Sequence, residues 1–358
     1  MDEHSQLESQ LTVTQCRDSA DWDAYLERAD GPVYGVSAWG DATAGYGHDR
    51  YHLVVRTADG ILGALPLTHI QSRVFGSKLV SPPYAARGSI VTDDGRAATV
   101  RSLLLERTRT LADDLDVDFV SLRGRDLGAA DGFEKRDRFV TFDIDLSGGP
   151  DATWENIKES RRRQIRQAAD EAGVEYEIGT TVDDLREYYD LYLASMRGHG
   201  TPPHSFRFFR TLWDRLTGPG PGDLHLGLIR KDGAPINGIM DLSLGSTVYQ
   251  WGVVTDYEYR DLNGGSLLLW KSLERAAAAG YDSYEMGRTR EGSGVYMFKK
   301  SFGGAKTWYD DYHYFPSGTG SLPHPEDEKY EPIKRVWRKL PIPLTRLIGP
   351  FVRKDISL

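Results

Sequence analysis

The chain has 358 residues, 27% of them charged and 39% hydrophobic, and a formal net charge of -9. That length and balance fit a folded protein of two ordinary domains and exclude wholesale disorder. A net negative chain is a poor general coat for nucleic acid, whose phosphates need the opposite sign, although it leaves room for a local basic patch. The single cysteine, Cys16, excludes an intrachain disulfide and a cysteine-based zinc site and fits a reducing compartment. No apolar run reaches the roughly 20 residues needed to span a bilayer. The opening MDEHSQLESQ lacks the basic and apolar regions of a signal peptide, so a cytoplasmic protein is expected.

In chain order, YHLVVRTADGILGALPLTHI predicts two strands around an Asp-Gly turn, and RGSIVT a further β-rich piece. ATVRSLLLERTRTLADDL places Val100, Leu103, Leu104, Leu111 and Leu115 at helical spacing, and VDFVSL reads as a compact strand. Residues 151–173 predict one helix, starting near Asp151 or Thr153 and ending at Gly173. TTVDDLREYYDLYLASMR predicts the next helix, with a capping box from Thr181 to Asp184 and a stripe through Val182, Leu185, Tyr189, Tyr192 and Met196. HGTPPHS breaks the pattern, and FRFFRTLWDRL resumes it. LHLGLIRKDGAPINGIMDLSL is a second strand pair, STVYQWGVV a strand, GSLLLWKSLERAAAAG a helix closed by Gly280, and YDSYEMG a strand. The order hairpin, strand, helix, strand therefore occurs twice, which points to a duplicated mixed α/β domain. Domains are expected at 1–145 and 146–316, with a loop and tail over 317–358.

In that tail, residues 333–354 interleave Lys334, Arg335, Arg338, Lys339, Arg346, Arg353 and Lys354 with bulky apolar side chains. The mixture suits peripheral contact with an anionic membrane, and docking on the protein's own surface accounts for it equally well. Pro341, Pro343 and Pro350 rule out one long helix.

Chemistry concentrates in EMGRTREGSGVYMFKKSFGG, residues 285–304, read as a strand that ends in a charged, glycine-hinged loop. Strand alternation puts Tyr284 and Met286 on one face and Glu285 and Gly287 on the other. Arg288 is a candidate for holding a substrate phosphate or carboxylate and Glu285 for orienting a cation or amine, with an ordinary ion pair equally in keeping. YRDLNGGSLLLW sets Arg260, Gly264, Gly265 and Ser266 between a strand and a helix, where free N–H groups attract phosphate. A plain strand-to-helix connection favours the same residues. Arg161, Arg162, Arg163 and Arg166 lie on a helix whose apolar line runs through Trp154, Ile157 and Ile165. Arg161 and Arg162 border that line, so they could bind a phosphorylated substrate or an RNA end, although a solvated face is the commoner meaning. Trp251, Tyr249, His199 and His204 are candidate cleft residues, the first two more simply core. Asp241 and Asp282 are weaker candidates for a general base. The histidines lack metal-ligand spacing, so no metal is predicted.

Strand, arginine-containing turn with a double glycine, helix and strand resemble the central motif of the GNAT acyltransferase superfamily. Here Arg260 is followed by three residues and then Gly264 and Gly265, where the superfamily pattern has two. The following block resembles the Fem-type, or FemAB-like, branch that includes BioF2-like acyltransferase domains. Glu285, Gly287, Arg288, Thr289, Gly292, Gly294, Phe298, Lys299, Phe302 and Gly303 fill its signature positions. Arg197, Gly200, Thr201 and Pro202 match its Arg-x-x-Gly-Thr-Pro segment, and SRRRQIRQAADEAGVEY its basic helix. The likeness covers residues 150–315 well and the first half in outline.

It implies tandem GNAT-like α/β domains, each a mixed, mostly antiparallel sheet flanked by helices. It also implies an acyl- or aminoacyltransferase acting on an amine or hydroxyl of an envelope-related acceptor: a glycoconjugate, lipid-linked sugar or peptide. The donor would be aminoacyl-tRNA or an acyl thioester (acyl-CoA or an acyl carrier), with no tightly bound cofactor. Lys299, beside Phe298, fits the position that the branch uses near the tetrahedral intermediate, with Glu285 as its catalytic companion. Arg288, Arg197, Gly200, Thr201, Pro202, Arg161, Arg166 and Trp251 would bind substrate, in a cleft between the domains near HGTPP and FKKSFGG. Arg260, Gly264, Gly265 and Ser266 would bind donor phosphate. On this reading, Lys299→Ala removes activity and leaves stability nearly unchanged. A non-catalytic scaffold, or an RNA-binding protein using the Arg161–Arg166 cluster, are the alternatives.

Overall fold

The computed structural model describes residues 11–357 apart from 93, 125–126, 129, 171, 319, 321 and 323–330. Its chain divides into two units, Met1–Arg138 with Tyr309–Leu322 and Asp355–Leu358, and Phe139–Trp308 with Pro323–Lys354.

The first unit contains β1 (Thr12–Gln15), α1 (Ser19–Arg28), α2 (Ser37–Ala44), β2 (Asp49–Thr57), β3 (Gly60–Ser72), β4 (Gly76–Ser81), β5 (Val91–Thr92), α3 (Ala97–Asp114) and β6 (Phe119–Gly124). Its strands run in the order β1-β2-β3-β4-β6, with β5 beside β3 and residues 310–314 beside β6. All of these pairs are antiparallel except β4 with β6, which the crossover helix α3 joins. Leu53, Leu65, Leu79, Val100, Leu104 and Val120 fill the core beneath α3.

The second unit takes over within β7 (Glu134–Asp145). It continues through α4 (Gly149–Asn156), α5 (Glu159–Asp170), β8 (Val174–Gly179), α6 (Val182–His199), α7 (Phe206–Leu216), β9 (Asp223–Lys231), β10 (Ala234–Leu244) and β11 (Thr247–Thr255). A 3-10 turn (Tyr257–Leu262), α8 (Gly264–Ala278), β12 (Ser283–Glu285), α9 (Gly294–Lys300) and β13 (Ala305–Tyr314) follow. Its strand order is β7-β12-β11-β10-β9-β8, again with one parallel pair, β11 and β12, bridged by a helix. Both halves thus build one supersecondary pattern, as the repeated order predicts. The β9–β10 turn has Asp232 at φ 51° and Gly233 at φ 79°, the left-handed pair that a two-residue hairpin needs. The capping box at the start of α6 forms, with Thr181 and Asp184 each satisfying the other's backbone N–H. Ile229, Ile239, Leu268, Leu273, Tyr284 and Phe302 are buried between the sheet and α8. Each contributes about 1.5–3 kcal/mol by leaving water.

Three local readings differ from the structure. The helix expected over 151–173 is two helices, parted at Ile157, whose extended backbone (ψ 134°) turns a 2%-exposed side chain into the core. The segment expected as a loop around Phe298 and Lys299 is α9, capped by Ser293 accepting from the Tyr296 N–H at 3.1 Å. VEYEIG, given no element in the sequence reading beyond the helix end at Gly173, is the edge strand β8, whose exposed Glu175 and Glu177 suit an unpaired edge.

The tail folds as α10 (Glu331–Lys339) and α11 (Ile342–Arg353), and its inner face docks on the second unit. Trp337, Thr345 and Gly349 are buried there, Gly349 against Pro203. Arg353 Nε donates to His204 Nε2 at 3.1 Å, and the Arg346 guanidinium sits 5.7 Å from the Tyr189 ring.

A candidate acyl-transfer site where two parallel strands part

Strands β11 and β12 pair only over Thr247–Tyr249 and Ser283–Glu285, while β11 runs on to Thr255. After Glu285 the chain bends away at Gly287, whose φ is +67°. A Cβ there would lie 2.7 Å from the Gln250 carbonyl oxygen, so both the conformation and the space demand glycine. The segment beyond is pinned to β7. Met286 N–H donates to the Phe142 carbonyl at 3.1 Å, and Val140 and Thr289 exchange backbone bonds at 2.9 and 2.8 Å.

Lys299 reaches from α9 into this bend. It is 8% exposed, and its Nζ donates to the carbonyls of Met286, Gly287 (3.0 Å) and Arg288 (3.3 Å). An ammonium has three protons, and three carbonyls take them. Burial lowers its pKa to about 8, while the charge of nearby Glu285 resists the fall. Glu285 is itself buried, and the Arg288 guanidinium lies over the Phe139 ring at 4.7 Å.

Of the arginine cluster, Arg161 is the one that reaches α8 and α9. It donates from Nε to Ser301 Oγ (2.8 Å) and from Nη1 to Ser266 Oγ (2.8 Å) and Gln164 Oε1 (2.6 Å), and it stacks 4.4 Å from the Phe298 centroid. One side chain thereby ties α5 to the first turn of α8 and to α9, which carries Lys299. Arg162 pairs with Glu155 at 2.6 Å and Glu159 at 2.9 Å, and Arg166 pairs with Glu159 at 3.3 Å on the surface. Arg161→Ala is expected to cost about 2 kcal/mol, since it removes three charged hydrogen bonds, to Ser301, Ser266 and Gln164. Arg161→Lys, which cannot reproduce the planar fork, recovers less than half of that loss in thermal denaturation. Equal midpoints for all three proteins would refute this account.

Gly264 and Ser266 are buried at the start of α8, where a Cβ on Gly264 would collide with Asn237 Oδ1. Gly265 is half-buried. Arg260 is exposed and lies 3.5 Å from Asp261. Arg197, Gly200, Thr201 and Pro202 form the end of α6 and the chain that leaves it. Trp251 packs 5.6 Å from Phe208 and 5.5 Å from Phe209 in an aromatic layer with His204. Glu285, Phe298, Lys299, Arg161 and Ser266 thus form one connected cluster, whereas Arg260 and Arg166 lie on the surface. Gln164 and Ser301, which hold Arg161, went unread. Ser301 stands inside FKKSFGG, but no local pattern shows that it faces an arginine 140 residues earlier. Asp241 is sealed in the core, bonded to Ser272 and to the Tyr284 hydroxyl (2.8 Å), and burial raises its pKa to about 6. Asp282 is exposed at the opposite end of β12.

Residues 156–300 match the acetyltransferase (GNAT) domain family. Among solved structures, FemX superposes with a TM-score of 0.69 at 13% identity, covering 85% of this chain and 97% of its own. A tandem GNAT protein from the clavulanic acid biosynthesis pathway gives 0.55 at 14% identity, covering 87% and 100%. L-PGS from Bacillus licheniformis gives 0.54 at 12% identity, covering 93% and 97%. The fold is a tandem, Fem-like GNAT fold. No curated protein matches the sequence. In GNAT terms, the helix between the parallel strands is α8, and the matched region ends at Lys300, so it includes both α8 and Lys299. The match to this domain family therefore lies within the second unit and covers most of it.

Proposed function

We propose that the protein transfers an acyl or aminoacyl group onto an amine or hydroxyl of an envelope-related acceptor, a glycoconjugate, lipid-linked sugar or peptide. One observation carries this reading: a dehydrated ammonium, Lys299, held where two parallel strands part. The acceptor nitrogen or oxygen attacks the carbonyl carbon of an activated ester or thioester, loses its proton, and the donor's hydroxyl or thiol leaves. Between these events the carbonyl oxygen carries negative charge, and a cation in a dry setting lowers the energy of that state. Of the bonds from Lys299, the 3.3 Å contact with the Arg288 carbonyl is the weakest, so it is the one that a substrate oxygen would replace. Glu285 keeps the lysine charged, and Arg161 with Phe298 fixes the helix that carries it.

Aminoacyl-tRNA and acyl thioesters both fit as donors, and the tandem GNAT neighbour is itself described in relation to acetyl-CoA. Purified protein supplied separately with labelled aminoacyl-tRNA, acyl-CoA and acyl carrier, with envelope extract as acceptor, should label the acceptor from one of them. No labelling from any donor would favour the scaffold reading, which draws on the saturation of Lys299 by backbone carbonyls. RNA binding through the arginine cluster is disfavoured because Arg162 and Arg166 are answered by Glu155 and Glu159.

Transfer should fall as pH rises through about 8, where Lys299 loses its proton. The sign for stability is opposite. Between about 8 and the ordinary lysine value of 10.5, the unfolded chain holds a proton that the folded one lacks, so this group's contribution to stability rises with pH. An alkaline limb that survives while the protein stays folded is the expected profile, and Lys299→Arg should move that limb upward. An unchanged limb in Lys299→Arg would refute the assignment.

A further inference from the structure

We propose that the outer face of α10 and α11 is a docking surface for an anionic lipid bilayer. Of the large apolar side chains left exposed among the described residues, six lie on these two helices, and Ile333, Val336, Leu347 and Phe351 are 63, 62, 67 and 69% exposed. With roughly 100° per residue, Ile333 and Val336 share one side of α10, and Leu344, Leu347 and Phe351 share one line on α11. Both lie beside the docked faces marked by Trp337, Thr345 and Gly349, so the protein has already covered one side of each helix and not the other. The sequence left membrane contact and self-docking as alternatives, and the two helices have a separate face for each.

Charge decides the occupant. Residues 331–354 carry seven Lys and Arg against one acid, Glu331, in a chain whose net charge is -9. Arg335 and Lys339 are exposed on the outer side of α10, whereas Arg338 reaches toward His199 and Arg346 lies over the Tyr189 ring. A second copy would present the same positive segment and repel it, whereas a phosphatidylglycerol surface attracts it and takes up the apolar side chains. No helix among the described residues is long and apolar enough to cross a membrane, so the pair would lie in the interface.

Contacts from α10 reach the turn before α8. Tyr257, 62% exposed, lies 6.3 Å from the His199 ring, whose pKa burial and the charge of Arg338 both lower. Tyr257 opens the turn that leads directly into α8. Among the acceptors proposed above, docking would favour a lipid-linked one, and that clause alone rests on the transferase reading.

The test is sedimentation of the full chain with phosphatidylcholine vesicles containing about 30% phosphatidylglycerol, and with phosphatidylcholine alone. Pelleting is expected only with the anionic vesicles, and raising salt should weaken it. Leu347→Glu with Phe351→Glu should lower partitioning about tenfold, and so, independently, should Arg335→Glu with Lys339→Glu. All four positions are exposed, so thermal midpoints should match the parent protein. Truncation before α10 is less suitable, since it would uncover the pocket that Trp337 and Gly349 fill. Absence of pelleting, equal pelleting of either pair, or a dimer in sedimentation equilibrium that the Leu347/Phe351 pair abolishes would each overturn the proposal. Neither donor nor acceptor is present, so the outcome is independent of whether the protein transfers acyl groups.

Discussion

Replacing Lys299 with alanine should lower transfer about 10²- to 10³-fold, the usual effect of deleting one donor to a developing oxyanion. It should also cost about 1–3 kcal/mol of stability, because the carbonyls of Met286, Gly287 and Arg288 lose their donor inside the fold. A lysine on a surface loop predicts the activity loss alone, and the second effect arises only because α9 carries the side chain into the strand bend. The two effects can be separated. Single-turnover transfer is measured well below the thermal midpoint, with the folded fraction followed by circular dichroism. Lys299→Met fills the volume without the charge and should be as inactive as Lys299→Ala. Transfer within twofold of the parent in a folded Lys299→Met protein would end the catalytic assignment.

Gly287→Ala is the second large effect, a loss of about 2–4 kcal/mol. The left-handed backbone costs a non-glycine residue about 1–2 kcal/mol. The remainder comes from the new Cβ pressing on the Gln250 carbonyl, a backbone atom that can yield only if β11 moves. Gly287→Asn tells the two causes apart. Asparagine tolerates positive φ but brings the same Cβ, so it should recover little of the loss. Because Gly287 also supplies one of the carbonyls that hold Lys299, transfer should fall along with stability. A Gly287→Ala midpoint indistinguishable from the parent would show that the bend is not under this constraint.

Much of the scaffold was legible because its signals are local. The helix Phe206–Leu216 was predicted residue for residue, although its cap, Ser205, was not, and the β9–β10 turn follows from Asp232 and Gly233 alone. The strand β8 was missed because Glu175 and Glu177 occupy one face and the other ends in the half-exposed Ile178, which leaves no clean run of buried apolar side chains. Likewise, α9 is only seven residues long, too short for helical spacing to show, and its one local sign is Ser293 at the cap.

The amino-acid order by itself determined the duplicated β-hairpin, strand, helix, strand pattern, and through the Fem-like signature it singled out Glu285, Phe298 and Lys299. Propensity, capping and hydrophobic period act over a few residues, so they can be read from a linear chain. It could not decide which arginine of four reaches α8 and α9, nor that an ammonium would be enclosed by three consecutive carbonyls. Those outcomes depend on residues such as Arg161 and Ser301 arriving from 140 positions apart, and on the water that their meeting excludes. Burial of this kind belongs to the assembled fold, and it is burial that gives Lys299 its lowered pKa.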